Sequence, residues 1–267
     1  MNGARMAIRW CVPWLVVLLL ASGVGAMDRD ELAKVLKAMP PNGPFWKYGN
    51  VRMPFRSKQA GMDPVIFPHW NHRARYTCRV CHLDLGFSMR QGDSGITRGQ
   101  NVAGKFCGAC HDGGIAFSVQ DDASCDRCHL KDTTALEARF AEFSESLPMA
   151  SFGNGIDWAA AIRKGLITPA NTLRGTAPAI QFPDKLKKPL KLGTASLRSD
   201  VTFSHQDHFA ELDCSSCHPD LFKIKQKATA DFTMDSNIYG NFCGACHMLV
   251  AFPMNDCKRC HTLMANH

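Results

Sequence analysis

Cys-x-x-Cys-His occurs six times in this chain, beginning at Cys78, Cys107, Cys125, Cys214, Cys243 and Cys257, and those copies use every cysteine except Cys11. Two thiols at that spacing can add to the two vinyl groups of one porphyrin while the adjacent histidine reaches the iron from the same side. The pattern is the attachment signature of haem c. Zinc is the competing chemistry, but it takes four nitrogen or sulfur ligands from paired elements and has no reason to demand histidine directly after every pair. A disulfide framework would accept this many cysteines without imposing the same two-residue gap each time. The implied cofactor is therefore six covalently bound haem c. Thioether bonds would form at Cys78 and Cys81, Cys107 and Cys110, Cys125 and Cys128, Cys214 and Cys217, Cys243 and Cys246, and Cys257 and Cys260. The proximal iron ligands would be His82, His111, His129, His218, His247 and His261.

Residues 1–26 read as a secretory signal: Arg5 and Arg9 supply the positive start, Val12 to Leu20 the apolar stretch, and Val24-Gly25-Ala26 a small-residue cleavage site before Met27. The apolar run is shorter than the about 20 residues that span a bilayer. This predicts an exported protein of the bacterial periplasm or outer cell envelope, with no stable membrane span once the signal is removed. Export suits haem attachment, which takes place outside the cytoplasm.

Loss of Arg5 and Arg9 leaves 29 basic against 24 acidic residues. Twelve haem propionates outweigh that excess, so the basic polypeptide does not imply nucleic-acid binding. Roughly 40 residues per haem is near the size below which a chain needs metals or cross-links to fold. Composition therefore predicts a mostly irregular fold with short α-helices, whose cores are built of haem and whose apolar side chains line porphyrin edges.

An internal repeat organises the chain. An offset of 136 residues carries Phe67 to Phe203, His69 to His205, His72 to His208 and the first two haem motifs onto their partners without a gap. Thr97, Asn101, Gly104 and Phe106 map onto Thr233, Asn237, Gly240 and Phe242, leading in both halves into Phe-Cys-Gly-Ala-Cys-His. The third motif lies four residues closer in the second half. The predicted organisation is a signal (1–26), an N-terminal extension (27–60), a first three-haem module (61–135), a linker (136–198) and a second three-haem module (199–267). Asp28 can cap a helix bearing Leu32, Val35, Leu36 and Met39, stopped by Pro40-Pro41. In the linker, Thr134 with Glu137 forms a capping-box pattern ahead of Leu136, Phe140 and Phe143. A second helix is expected from Asp157 to Lys164, with Trp158, Ala161 and Ile162 on one face and Gly165 as its stop. Residues 170–200 read as irregular, and Lys185, Lys187, Lys188 and Lys191 as a solvated run.

A low-spin electron carrier needs a second axial ligand at each iron. The histidines outside the haem motifs are His69, His72, His205, His208 and His267, and four of them form two His-x-x-His pairs just upstream of a first haem motif. Residues three apart on a helical turn share one side of the backbone, so one pair can face two neighbouring porphyrins.

Phe67-Pro68-His69-Trp70-Asn71-His72 before Cys78, Phe203-Ser204-His205-Gln206-Asp207-His208 before Cys214, and the two Phe-Cys-Gly-Ala-Cys-His blocks resemble the three-haem cytochromes of the c7 class and their tandem multihaem versions. The resemblance implies that His69 serves the haem at Cys78/Cys81 and His72 that at Cys107/Cys110, with His205 and His208 repeating this at Cys214/Cys217 and Cys243/Cys246. Simple c7 proteins place a further histidine shortly before the second haem motif, which this chain lacks. Tandem relatives use methionine at the third haem, and His/Met ligation raises the potential above bis-histidine. Met234 is then the best candidate for the haem at Cys257/Cys260 and Met89 its stand-in for the first module. His267 is the rival for the last haem, and a five-coordinate iron is the other alternative.

Haems attached this closely in sequence lie close in space. Two charges about 10 Å apart at an effective dielectric of about 20 interact by about 1.7 kcal/mol, or roughly 70 mV for a one-electron step. Six such centres titrate over a broad window, which suits an electron carrier between redox partners, among them an outer-membrane cytochrome complex. Two other classes compete. An enzyme with an open-site haem would reduce a small substrate or metal ion, but no Cys-x-x-Cys-Lys and no dense acid, base and anion-binding set accompanies the third haem motifs. An adhesive surface protein stapled by haem would gain nothing from six redox centres.

Overall fold

A computed structural model describes residues 48–90, 92–151, 153–174, 181–192, 201–224, 232–252, 254 and 256–262. The predicted signal, the predicted helix over 28–39 and His267 lie outside these residues.

Short elements follow the repeat. β1 (Asn50–Met53) pairs antiparallel with β2 (Val65–Pro68), helix α1 (Phe55–Gln59) lies in the connection, and β2 runs directly into α2 (His69–Arg73). After the first haem motif comes α3 (Arg98–Val102), then a 3-10 turn at Phe106–Ala109 carrying the second motif and another at Asp122–Arg127 carrying the third. The linker holds α4 (Thr134–Ser144) and α5 (Trp158–Arg163). β3 (Leu190–Leu192) then pairs antiparallel with β4 (Val201–Phe203), which leads into α6 (His205–Phe209). α7 (Met234–Ile238), α8 (Gly244–His247) and α9 (Cys257–Cys260) complete the second half. The described residues form two repeated modules, mostly irregular, with short helices and little sheet.

The repeat residues explain themselves locally. Thr97 caps α3 by accepting from the Gln100 amide, and Thr233 caps α7 by accepting from the Ser236 amide. Each helix ends in a left-handed glycine, Gly104 at φ 75° and Gly240 at φ 82°. Phe106 (φ 50°) and Phe242 (φ 48°) are themselves in the left-handed region, a strained state for a bulky residue. Aromatic packing holds them there: Phe106 meets Phe87 at 5.2 Å between ring centres, and Phe242 meets Phe222 at 5.5 Å and Phe232 at 5.4 Å.

Three expectations change. The two β-ribbons are absent from the sequence reading, because four residues such as Val65–Pro68 are too short for an alternating pattern to stand out. Thr134 is the first helical residue of α4 rather than its cap. Thr133 takes the cap position without a side-chain bond, and Asp132 accepts from the Thr134 amide instead. The linker is also more than a spacer. Leu136 and Phe140 of α4, Trp158 and Ala161 of α5, Ile156 and Ile167 bury together against Trp70 of α2. Side chains therefore form a true core here, at about 1.5–3 kcal/mol for each fully buried large apolar residue. Trp70 stacks on Phe140 at 5.3 Å and on Phe143 at 5.2 Å, which ties the linker to the His-x-x-His helix. α5 itself begins and ends as expected, with the Asp157 carboxylate accepting from the Ala160 amide and Gly165 at φ 67° after its last turn. Within 170–200, the described part includes a 3-10 turn at Asp184–Leu186, and the four lysines are exposed.

Candidate haem-binding sites

Five of the six haem motifs close as a single turn, and the first runs into a π-helical turn at Val80–Asp84. The amide of the histidine donates to the carbonyl of the first cysteine at 2.9 Å for His111, His129 and His218, 3.0 Å for His247 and 2.8 Å for His261. That closure puts the two thiols, three residues apart, on one face with the histidine beside them. Gly108 and Gly244, between the cysteines of the second motif in each half, lie so close to Asn101 and Asn237 that any Cβ would overlap the asparagine carbonyl oxygen. The repeated Phe-Cys-Gly-Ala-Cys-His block is thus a packing requirement of α3 and α7.

The histidine pairs reach the motifs. His72 and His111 rings lie 6.3 Å apart between centres, and His208 and His247 repeat this at 6.2 Å. Two metal–nitrogen bonds of roughly 2 Å each, plus a little over an ångström from each ring centre to its Nε2, span that separation. Burial lowers the basicity of His69 and His205, and His82 and His218 respectively lower it further, so each of these pairs is within electrostatic reach. Phe67 packs on both His69 (4.8 Å) and His72 (4.3 Å), and Phe203 on both His205 (4.9 Å) and His208 (4.5 Å). α2 and α6 therefore present their histidines in the same way.

Backbone carbonyls orient the rings. Nδ1–H of His82 donates to Phe87 O (2.9 Å), His111 to Phe117 O (3.2 Å), His218 to Phe222 O (2.8 Å) and His247 to Phe252 O (2.8 Å). His129 donates to Asp63 O (2.7 Å), His69 to Gly49 O (2.8 Å), His72 to Pro68 O (3.0 Å) and His208 to Ser204 O (2.8 Å). A carbonyl can only accept, so Nδ1 carries the proton and Nε2 keeps its lone pair for a metal. His205 differs: its buried Nδ1 has no partner among the described residues. These carbonyl partners escaped the sequence reading, although a phenylalanine four to six residues after His82, His111, His218 and His247 was a visible signal.

Burial sets the charge states. Desolvation holds His69 and His247 down at about 4, and it lowers His72, His82 and His111 as well, so these imidazoles are neutral, as iron ligation requires. The same effect pushes Cys78 and Cys243 up to about 12 and Cys81, Cys107, Cys246 and Cys260 to about 11. Thiols held neutral fit thioether formation, which leaves no sulfur charge to solvate; a thiolate metal site or a reactive cysteine is surrounded by groups that push the other way. Among the described residues no three His, Cys, Asp or Glu side chains gather into a closed metal set.

The motifs and paired histidines open onto one continuous cavity of 2160 Å³ that runs through both halves. An ordinary single-ligand pocket is about 300–1,000 Å³, so the space, the eleven motif cysteines that line it (all but Cys257) and the paired imidazoles together fit several porphyrins rather than one. The third motif of each half docks on the β-ribbon: Val65 bridges to His129, Ile66 N donates to Cys128 O (3.0 Å), and Thr202 bonds Thr262 (3.0 Å). Met89 lines the cavity, whereas Met234 opens α7 and is not among the lining residues. Met254, buried and lining the cavity, was not singled out from sequence.

A family model described as cytochrome c7 and related cytochrome c matches residues 65–130 and 201–262. Among solved structures, a c7-type three-heme cytochrome domain is 34% identical, covering 30% of this chain and 91% of that one, with a TM-score of 0.27. The C-terminal hexaheme fragment of a dodecaheme cytochrome c is 25% identical over 80% of this chain and 96% of its own, with a TM-score of 0.26. The whole dodecaheme cytochrome c is 27% identical over 81% of this chain and 75% of its own, also at 0.26. The relationship rests on matched sequence within each module, not on superposition of the whole chain. No curated protein matches.

Proposed function

Because the chain belongs to the family of cytochrome c7 and related cytochromes c, we propose that it is a hexahaem c-type cytochrome that carries electrons between redox partners in the periplasm or outer cell envelope. Haem c supplies the one-electron chemistry. The chain would attach it through the six cysteine pairs and hold the iron through His82, His111, His129, His218, His247 and His261, with His69, His72, His205 and His208 as second ligands. The observation that supports this most is the matched separation of His72 from His111 and of His208 from His247, 6.3 and 6.2 Å. Carbonyl acceptors hold the ring tautomers, and burial keeps water from His69, His72 and His247. Neither role requires a substrate pocket. The partners proposed are a redox donor and a redox acceptor, an outer-membrane cytochrome complex among them. No helix of the described residues is long and apolar enough to cross a membrane.

One observation favours a second reading. If His69, His72, His205 and His208 serve the first two motifs of each module, the iron at His129 would take Met89 and that at His261 Met234 or His267 as second ligand, or either would stay open to a small substrate or metal ion. Both readings are tested on the matured, exported protein. Mass spectrometry and pyridine haemochrome analysis should give six haems per chain, and electron paramagnetic resonance of the oxidised form should be dominated by low-spin iron. A large high-spin signal would favour the reductase. Colourless protein with the bare polypeptide mass would overturn both.

A further inference from the structure

The two modules diverge most in charge where the repeat should be tightest, between the His-x-x-His pair and the first haem motif. At the repeat offset Arg73 corresponds to Phe209, Arg75 to Glu211, Thr77 to Asp213 and Arg79 to Ser215. The first module is basic in this segment and the second acidic. These same segments face one another in the structure. Arg73 Nη2 donates to both carboxylate oxygens of Glu211 at 2.6 and 2.9 Å, with the two side chains only 13% and 16% exposed. Arg79 Nε donates to Asp213 at 2.9 Å, and its Nη1 to Asp84 at 2.8 Å. Arg73 also stacks over the Trp158 ring at 4.2 Å, so one guanidinium joins the first module, the linker helix and the second module. Buried Tyr48 extends the contact by donating to Ala251 O at 2.6 Å.

We infer that Arg73, Arg79, Glu211 and Asp213 form a built-in seam that locks the first-haem segments of the two modules side by side, and that the repeat has diverged there to make the surfaces complementary. Identical segments would set like charges against each other; opposite ones make the contact specific for the other module. Half-buried ion pairs serve such specificity better than net stability, because each needs its partner to offset desolvation. The consequence for the proposed electron carrier, on which this inference rests for its purpose, is that the attachment sites at Cys78 and Cys214 are held as neighbours. Cys78 Sγ lies 3.9 Å from Glu211. The four residues are positioning residues; none would touch iron.

A charge swap tests the seam in the matured holoprotein. Arg73→Glu and Glu211→Arg should each speed amide exchange over 48–53 and 247–252 by about tenfold or more and enlarge the radius of gyration in solution scattering. The combined variant should recover protection and radius. Arg98→Glu, which breaks the exposed Arg98–Asp122 pair away from the seam, should change neither. Single variants without effect, or a combined variant no better than the worse single one, would overturn the inference. Should Arg73→Glu fail to mature, Arg73→Gln and Glu211→Gln read the same two quantities. Haem counts on every sample separate the two failures: six haems with no rescue sinks the seam alone, whereas haem-free wild-type protein sinks the cytochrome reading.

Discussion

Gly108 and Gly244 show a motif position set by one missing atom. A Cβ at either would overlap a backbone oxygen of the preceding helix, and backbone cannot swing aside as a side chain can. Gly108→Ala is expected to destabilise the holoprotein by about 3 kcal/mol or more, read as a lower thermal midpoint and poorer haem incorporation at Cys107/Cys110. His208→Ala should convert the iron at Cys243/Cys246 to high spin and leave that at Cys214/Cys217 low-spin, checked by electron paramagnetic resonance. His205 is the instructive residue. Gly49 O accepts from His69, and nothing described does so for His205. An imidazole that donates from Nδ1 is the more basic ligand and favours ferric iron. The centre at Cys214/Cys217 should therefore have a more positive potential than the one at Cys78/Cys81, measurable by redox titration followed by nuclear magnetic resonance. The His-x-x-His pairs and the cysteines were legible because covalent attachment demands a strict local spacing. The carbonyl acceptors were not, because any residue can supply a carbonyl and only the fold aims it.

At the scale of elements, the helices were read with more success than the strands. α5 follows from Asp157 and Gly165, which act locally. β1 and β2 pair only because the chain returns on itself after α1, and their reward is tertiary: β2 seats the third haem motif through Val65 and Ile66. The linker core was the larger surprise. α4 has an ordinary amphipathic face, but its target, Trp70, sits within the histidine pair and was read only as a neighbour of ligands. Phe140→Ala should cost about 3–5 kcal/mol and, by loosening Trp70 over α2, should perturb the haems served by His69 and His72 more than those of the second module. Equal disturbance of both modules in a haem-resolved spectrum would contradict that coupling.

For the whole molecule, acid stability follows from the buried histidines. His69 and His247 are held at about 4 by burial, against an unfolded value near 6.5. Between those values the unfolded chain binds more protons than the folded one, so stability falls as pH drops from about 6.5 towards 4 and the dependence from these groups flattens below. Iron ligation, which also needs the neutral ring, acts in the same direction. The thermal midpoint should decline through that window together with growth of a high-spin absorption band; a midpoint constant from pH 7 to 4 would contradict it.

Covalent chemistry and short-range spacing were determined by the sequence alone: the cysteine pairs, the motif histidines, the tandem repeat and the histidine pairs upstream of each first motif, because each depends on residues at most a helical turn apart or on register copied along the chain. Which carbonyl orients which imidazole, how the linker packs on Trp70, and how the basic segment of one module meets the acidic segment of the other were decided only in three dimensions. Those contacts join residues up to about two hundred positions apart, Tyr48 to Ala251 among them, and their free energy comes from shared burial that no local pattern encodes.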